Sequence, residues 1–269
     1  MKQQLFFSGL FYPAEKNELL QYLSKLCQSA KKVTKKNVAA IITPHAGYQY
    51  SGKLAAEAFL TVKDKNIKTA IILSPSHQFS FEFAATLNKS SYSTPIGDIS
   101  INQSLSNELS AHNPYIKPEN SYHYKEHGIE VTLPFLEYVS AAQSIVPLVV
   151  GTMEKEIIQS IANTIASVCQ PTETLIIAST DFSHFFTSLK ANEMDKQAVK
   201  LIKNFDINQL ELEYYQKKIQ LCGIAPTLIM LHILKQWGYN NAEHISYTHS
   251  GIISGDLERV VGYNSMRFY

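Results

Sequence analysis

An α/β fold, a sandwich whose mostly parallel central sheet is flanked by helices, is predicted by three features of the sequence. Continuous apolar runs of strand length recur at 38–43, 69–74, 144–150 and 174–179, the pattern of strands buried on both faces. Segments of helical periodicity stand between them, so strands and helices alternate along the chain. No linker-like change of composition interrupts residues 1–269, which read as one domain.

Taken in order, leucines at 19, 20, 23 and 26 give 14–32 the apolar stripe of an amphipathic helix. The strand 38–43 stops at Pro44, and His45 follows at once, backed by Ala46 and Gly47. Proline cannot donate to a sheet ladder and glycine permits close backbone approach, so the run ends there. Ser51 is the expected N-cap of a helix over 52–63. His45 therefore sits at a strand-to-helix turn, where open α/β sheets bind ligands. The unit then repeats. TAIILS at 69–74 is a second buried strand, and it ends in Pro75-Ser76-His77. Two parallel strands would bring both imidazoles to one edge of the sheet.

Weak alternation at 81–87 predicts a peripheral strand, 90–98 a loop and 103–111 a helix, with 112–124 polar and irregular. Residues 126–140 suit a helix that Pro134 would kink or break. A strand at 144–150 and a helix over 154–169 lead to TLIIAS at 174–179, followed by Thr180-Asp181-Phe182-Ser183-His184. Two helices are expected within 190–219. Cys222-Gly223 then precede an apolar helical stretch at 224–237, and strands at 245–247 and 260–268 flank a turn-rich segment.

A net charge of +1, from 24 basic against 23 acidic residues, gives no electrostatic reason to expect nucleic acid. The basic cluster at 31–36 reads as a solvated helix end. No apolar run approaches the ~20 residues that cross a bilayer. Residues 5–12 are too short and broken for a signal peptide, so no membrane association is expected. Three cysteines do not suggest a disulfide framework, which favours a reducing, cytoplasmic setting.

Chemistry-bearing groups thus collect at strand and helix ends: His45, His77, the pair Asp181 and His184, then Cys222, and finally Glu126, His127 and Glu130. Imidazole and thiolate suit iron, zinc or copper. Two imidazoles and one thiolate leave positions open, as catalytic sites do. Each group also has a plainer reading. The histidines could be satisfied turn residues, Cys222 a small buried hydrophobe, Asp181 a helix N-cap, and Glu126 and Glu130 solvated charges one turn apart. His112, His123, His232, His244 and His249 read as structural or surface residues. Spacing alone leaves a metallohydrolase and a metal-dependent oxygenase as candidates.

Together the segments resemble the Memo family, including its prokaryotic members known as system protein B of the AmmeMemoRadiSam group. The resemblance is carried by FSGLFYPAEKNEL at 7–19, TPHAGYQYSG at 43–52, LSPSHQ at 73–78, EHGIEVTLPFL at 126–136, VPLVVG at 146–151, STDFSHF at 179–185, CGIAP at 222–226 and VGYNSMRF at 261–268. It covers nearly the whole chain in order. It implies a fold similar to class III extradiol ring-cleaving dioxygenases, which are non-haem iron enzymes. It also implies metal ligands at His45, His77 and Cys222, the cysteine standing where the dioxygenases have a carboxylate. Because a thiolate alters metal preference and redox behaviour, dioxygenase activity does not carry over with the fold.

By the same resemblance His184 is the acid/base candidate, with Asp181 beside it to set its tautomer. His127 is a further catalytic group, and Tyr48, Glu126 and Glu130 line the substrate pocket. The family's Cys-Gly-Arg-His-Pro variant reads Cys222-Gly223-Ile224-Ala225-Pro226 here, so a basic pair is missing. Two functions follow as expectations. One is a redox enzyme holding iron(II), or copper, with zinc implying a hydrolase instead. The other is a non-catalytic adaptor that binds a peptide or small molecule, or delivers metal to a radical-SAM or AMMECR-type partner.

Overall fold

The computed structural model describes residues 1–34, 36–65 and 67–269. In chain order its first half comprises β1 (Lys2–Gln3), α1 (Lys16–Ser29), β2 (Ala40–Thr43), α2 (Tyr48–Leu60), β3 (Thr69–Pro75), β4 (Ala84–Thr86), β5 (Ser91–Ser93), β6 (Asp98–Ile101), α3 (Gln103–His112) and β7 (Ile116–Pro118). A 3-10 turn (Asn120–His123) leads into α4 (His127–Glu130), α5 (Leu133–Tyr138), β8 (Ser144–Val150), α6 (Lys155–Val168) and β9 (Thr174–Ser179). The chain closes with β10 (His184–Phe186), α7 (Ser188–Lys203), α8 (Ile207–Tyr215), α9 (Ile224–Gln236), β11 (Ala242–His249), α10 (Gly251–Ser254) and β12 (Val260–Phe268).

Four parallel strands in the order β8-β3-β9-β2 form the centre of the sheet. β12 pairs antiparallel with β2 and carries β10 and β11, while β6 and β4 both add to β8 on the far side. The central strands are buried along their length because helices cover both faces, as a parallel sheet requires. Successive side chains alternate between those faces. Ile42, Ile71 and Ile176 pack with α6, α7 and α9, whereas Ile41, Ile72 and Ile177 pack with α1, α2 and α5. The result is a three-layer α/β/α sandwich.

Several local expectations change. α2 starts at Tyr48 with Gly47 as its N-cap, and Ser51 lies inside the first turn, where its Oγ donates to the Ala46 carbonyl (3.0 Å). The helix expected at 126–140 is two short ones. Pro134 sits in the first turn of α5, where its missing N–H breaks no helical bond. Residues 90–98 contain β5 and the start of β6, paired as a hairpin, and β7 falls in the stretch read as irregular. Asp181 caps no helix, because β10 follows it. Of the cluster at 31–36, Lys31 donates to the Ile245 carbonyl (2.9 Å) and Lys36 lies over the Tyr269 ring, while Lys35 is outside the described residues. No helix among the described residues is long and apolar enough to cross a membrane.

Candidate metal centre

The carboxyl ends of β3, β9 and β2 lie side by side, and three site residues stand two positions beyond them. Register explains the first contact. Thr43 pairs with Ser179, so His45 and Asp181 leave the sheet at the same level. The backbone N–H of His45 donates to Asp181 Oδ1 (2.9 Å). His77 leaves β3 next door, its ring centroid 5.0 Å from that of His45 and perpendicular to it. Cys222 arrives from the other side, at the start of α9. Its N–H donates to the Asp181 carbonyl (3.2 Å), and its Sγ stands 3.2 Å from His45 Nε2. Gly223 makes this approach sterically feasible. A Cβ there would lie 2.5 Å from Thr180 Cβ and 2.6 Å from the Ser179 carbonyl.

Hydrogen bonds fix which nitrogen of each imidazole is free. Ser179 Oγ donates to the Gly128 carbonyl (2.6 Å), which can only accept, so Ser179 is left to accept from His45 Nδ1–H (2.9 Å). The lone pair of His45 Nε2 then faces Cys222. His77 Nδ1 lies 2.7 Å from Glu126 Oε1, and its backbone N–H donates to Oε2 (2.8 Å). A carboxylate accepts, so His77 Nδ1 carries the proton and its Nε2 is also free. Glu126 Oε1 takes a further bond from Gly128 N (3.0 Å) as the cap of α4. Gly128 must be small here, because a Cβ would meet Ser74 Oγ at 2.1 Å.

The electrostatics follow from burial. Desolvation, reinforced by His127, His77 and His184, holds the His45 imidazole well below its usual range, so it stays neutral. Burial pushes His127 down to about 4 and lowers His184. Burial alone would raise Glu126, but the hydrogen bond and charge of His77 and the backbone N–H groups outweigh it and hold the carboxyl low. Asp181 goes the other way, raised by burial to about 7 against the backbone bonds of His45 and Ala46. Burial and the Asp181 charge push the Cys222 thiol up to about 12. Its sulfur nevertheless accepts the Asp181 N–H (3.1 Å), and a cation among these groups would favour the thiolate.

These observations fit a metal. His45, His77 and Cys222 bring one ligand atom each to within 4.8 Å of one another. Ligands sharing a tetrahedral cation stand roughly 3.5 Å apart, which the 3.2 Å gap between His45 and Cys222 matches. His77, Glu126 and His127 also cluster, but Glu126 is already committed to orienting His77.

The remaining expected site residues are placed differently. Asp181 bonds the His45 segment, whereas His184 donates its backbone N–H to Gln220 Oε1 (2.8 Å) from within β10. His127 lies with its ring 4.1 Å from that of His77, under Phe7 and Phe11. Tyr48 is buried and donates to the Val131 carbonyl (2.8 Å). Glu126 and Glu130 are buried rather than solvated. Glu130 accepts from Phe6 N, Phe7 N and Tyr12 Oη, each at 2.8 Å, so it ties down the N-terminal segment that carries Phe7 and Phe11. Sequence reasoning missed Ser179 altogether. Its one signal was position, as the last residue of a parallel strand two places before Asp181.

A three-layer α/β/α sandwich with two imidazoles and a thiol converging beyond adjacent parallel strands defines a class of candidate metal-binding proteins. Within that class the chain belongs to the Memo family, whose Memo-like protein model matches residues 4–267. A MEMO1 family protein of Methanosarcina mazei is 32% identical over 259 residues, covering 95% of each chain. Another, from Aquifex aeolicus, is 30% identical over 264 residues and 97% of each chain. A third, from Nitrosopumilus maritimus, is 28% identical over 267 residues and 97% of each chain.

Proposed function

We propose that the chain is a metal-dependent redox enzyme that holds iron(II), or copper, on His45, His77 and Cys222. The supporting observation is the orientation of the two imidazoles. Ser179 and Glu126 each occupy an Nδ1, leaving both Nε2 lone pairs free, that of His45 3.2 Å from the Cys222 sulfur and a ring nitrogen of His77 within 4.8 Å of both. Imidazoles with one nitrogen so committed are typical of metal ligands, and here His45 is buried while His77 is open to solvent. When bound, the metal would supply redox chemistry and Lewis acidity at its open positions.

The protein's own residues would do the rest. Glu126 and Ser179 keep the ligand rings in one tautomer and one orientation. His127, whose ring packs on that of His77, and His184, near enough for its charge to bear on His45 and His77, would accept and return protons of a small organic substrate at their ring nitrogens. Phe7 and Phe11 cover His127 and would exclude water from it. Metal analysis after anaerobic purification, followed by oxygen-uptake assays over a panel of small metabolites, tests the reading. Stoichiometric iron or copper with turnover is expected. Stoichiometric zinc without redox turnover would replace it with a hydrolase.

One feature favours a second reading, a binding protein or adaptor. Phe185, Leu189 and Leu257 expose 64%, 85% and 50% of their surface near His184, joined by the Ser188 N–H bond to the Leu257 carbonyl. Exposed apolar side chains grouped in this way suit a protein partner, of which a radical-SAM or AMMECR-type protein is one candidate. Stable capture of such a protein by a metal-loaded chain that turns over nothing would favour the adaptor.

A further inference from the structure

A cavity of about 340 Å³ opens beside Cys222, between the end of β8 and the start of α9. Its exposed lining is more polar than apolar, with serine, threonine and glutamate side chains among the apolar ones of Phe81, Met153, Tyr214 and Ile224. Phe81 is fixed in place. A Cβ on Gly151 would fall 2.4 Å from its ring, so the ring lies directly on that backbone, and Tyr122 packs against it at 4.0 Å. The charge on the lining has one sign. Glu82 and Glu154 contribute exposed carboxylates, and no Lys, Arg or His is among the described lining residues. The two positions after Cys222-Gly223, Ile224 and Ala225, lie in the wall and carry no charge. Lys155, next to Glu154 in the chain, is paired with Glu211 (3.2 Å).

We infer that this cavity seats the substrate of the metal centre, and that the substrate is a single-ring organic molecule that is neutral or carries an amine. The inference rests on the metal reading above. The volume lies near the lower end of ligand pockets, which begin at about 300 Å³, so one ring with a short side chain fills it. An anion would lose its hydration without meeting a cation, and it would face two carboxylates. An ammonium group placed toward Glu82 and Glu154 would meet complementary charge, while the ring packs on the part-exposed Met153 and Tyr214.

Three probes of matched three-carbon chain test this by calorimetry on the full chain: 3-phenylpropylamine, 3-phenylpropanol and 3-phenylpropionate. Each is titrated with and without one equivalent of zinc, the metal-free arm excluding a direct amine–zinc bond. The amine should bind about tenfold more tightly than the carboxylate, the sum of modest exposed-charge effects, with the alcohol between. The double variant Glu82→Gln/Glu154→Gln, at two exposed positions, should shrink that ratio to about twofold. Equal binding of amine and carboxylate, a ratio unchanged in the double variant, or no binding of any probe would overturn the inference. Zinc bound one to one without an amine preference removes this inference alone. An amine preference in a chain that binds no zinc removes the metal reading and keeps the cavity.

Discussion

Ser179→Ala would leave His45 Nδ1 without its acceptor, and the ring would be free to turn its other nitrogen toward the sulfur. Because such outer hydrogen bonds orient metal ligands, this variant and Glu126→Gln should each weaken zinc affinity by about 10- to 100-fold. Competition titration against a chelating dye reads the change, and an unaltered affinity would mean that the two rings are held by something else. His123 offers a prediction away from the centre. It is buried against the Ala85 carbonyl (2.9 Å), and desolvation lowers it to about 4 from an ordinary 6.5. Below pH 6.5 the unfolded chain takes up a proton that the folded chain refuses. The contribution of His123 is therefore full above that pH and is lost as pH falls from 6.5 toward 4. This contribution should reach about 3 kcal/mol, and His123→Gln should shrink the difference between urea unfolding curves at pH 7.5 and 4.5 by that amount, the other buried histidines keeping their share. The two histidines were legible in sequence through the repeated order of strand, proline and histidine, and Cys222 through the resemblance. Their partners were not. Glu126 lies 49 positions from His77 and Ser179 lies 134 from His45, distances that only strand order brings together.

Among the elements, α4 does more than its four residues suggest. It begins at the cap Glu126, which orients His77, passes through Gly128, whose carbonyl fixes Ser179, and ends at Glu130. Removing the last of these in Glu130→Ala would strand two backbone N–H groups and the Tyr12 hydroxyl. A loss of about 3 kcal/mol is expected in urea denaturation, with faster proteolysis of the segment before α1. An effect under about 1 kcal/mol would show that water replaces the carboxylate easily. The sequence located this stretch but read it as one kinked helix with solvated acids. Two polar carboxylates one turn apart look like a wet face unless the segment that buries them, residues 5–12, is known to fold over it. The start of α9 behaves similarly. Gly223→Ala, with 2.5 Å to Thr180 Cβ, should move Cys222 away from His45 and lower metal affinity while the fold persists.

Across the whole molecule, β2, β3, β8 and β9 were readable because strands buried on both faces are continuous apolar runs. Their parallel arrangement sets His45, His77 and Asp181 at one edge of the sheet, as the fold class predicted. The peripheral strands β1, β5, β7 and β10, of two or three residues, carry too little pattern for any period to register. The order β3-β9-β2 was equally hidden, and that order places Asp181 and Ser179 between the two histidines. Cobalt(II) titration of the metal-free chain under anaerobic conditions tests the His45–His77–Cys222 centre most directly. One equivalent should bind with a sulfur-to-metal charge-transfer absorption, and Cys222→Ser should abolish that band while His45→Ala or His77→Ala sharply reduces binding. A chain that binds no cobalt, or whose spectrum is the same in Cys222→Ser, would contradict the assignment.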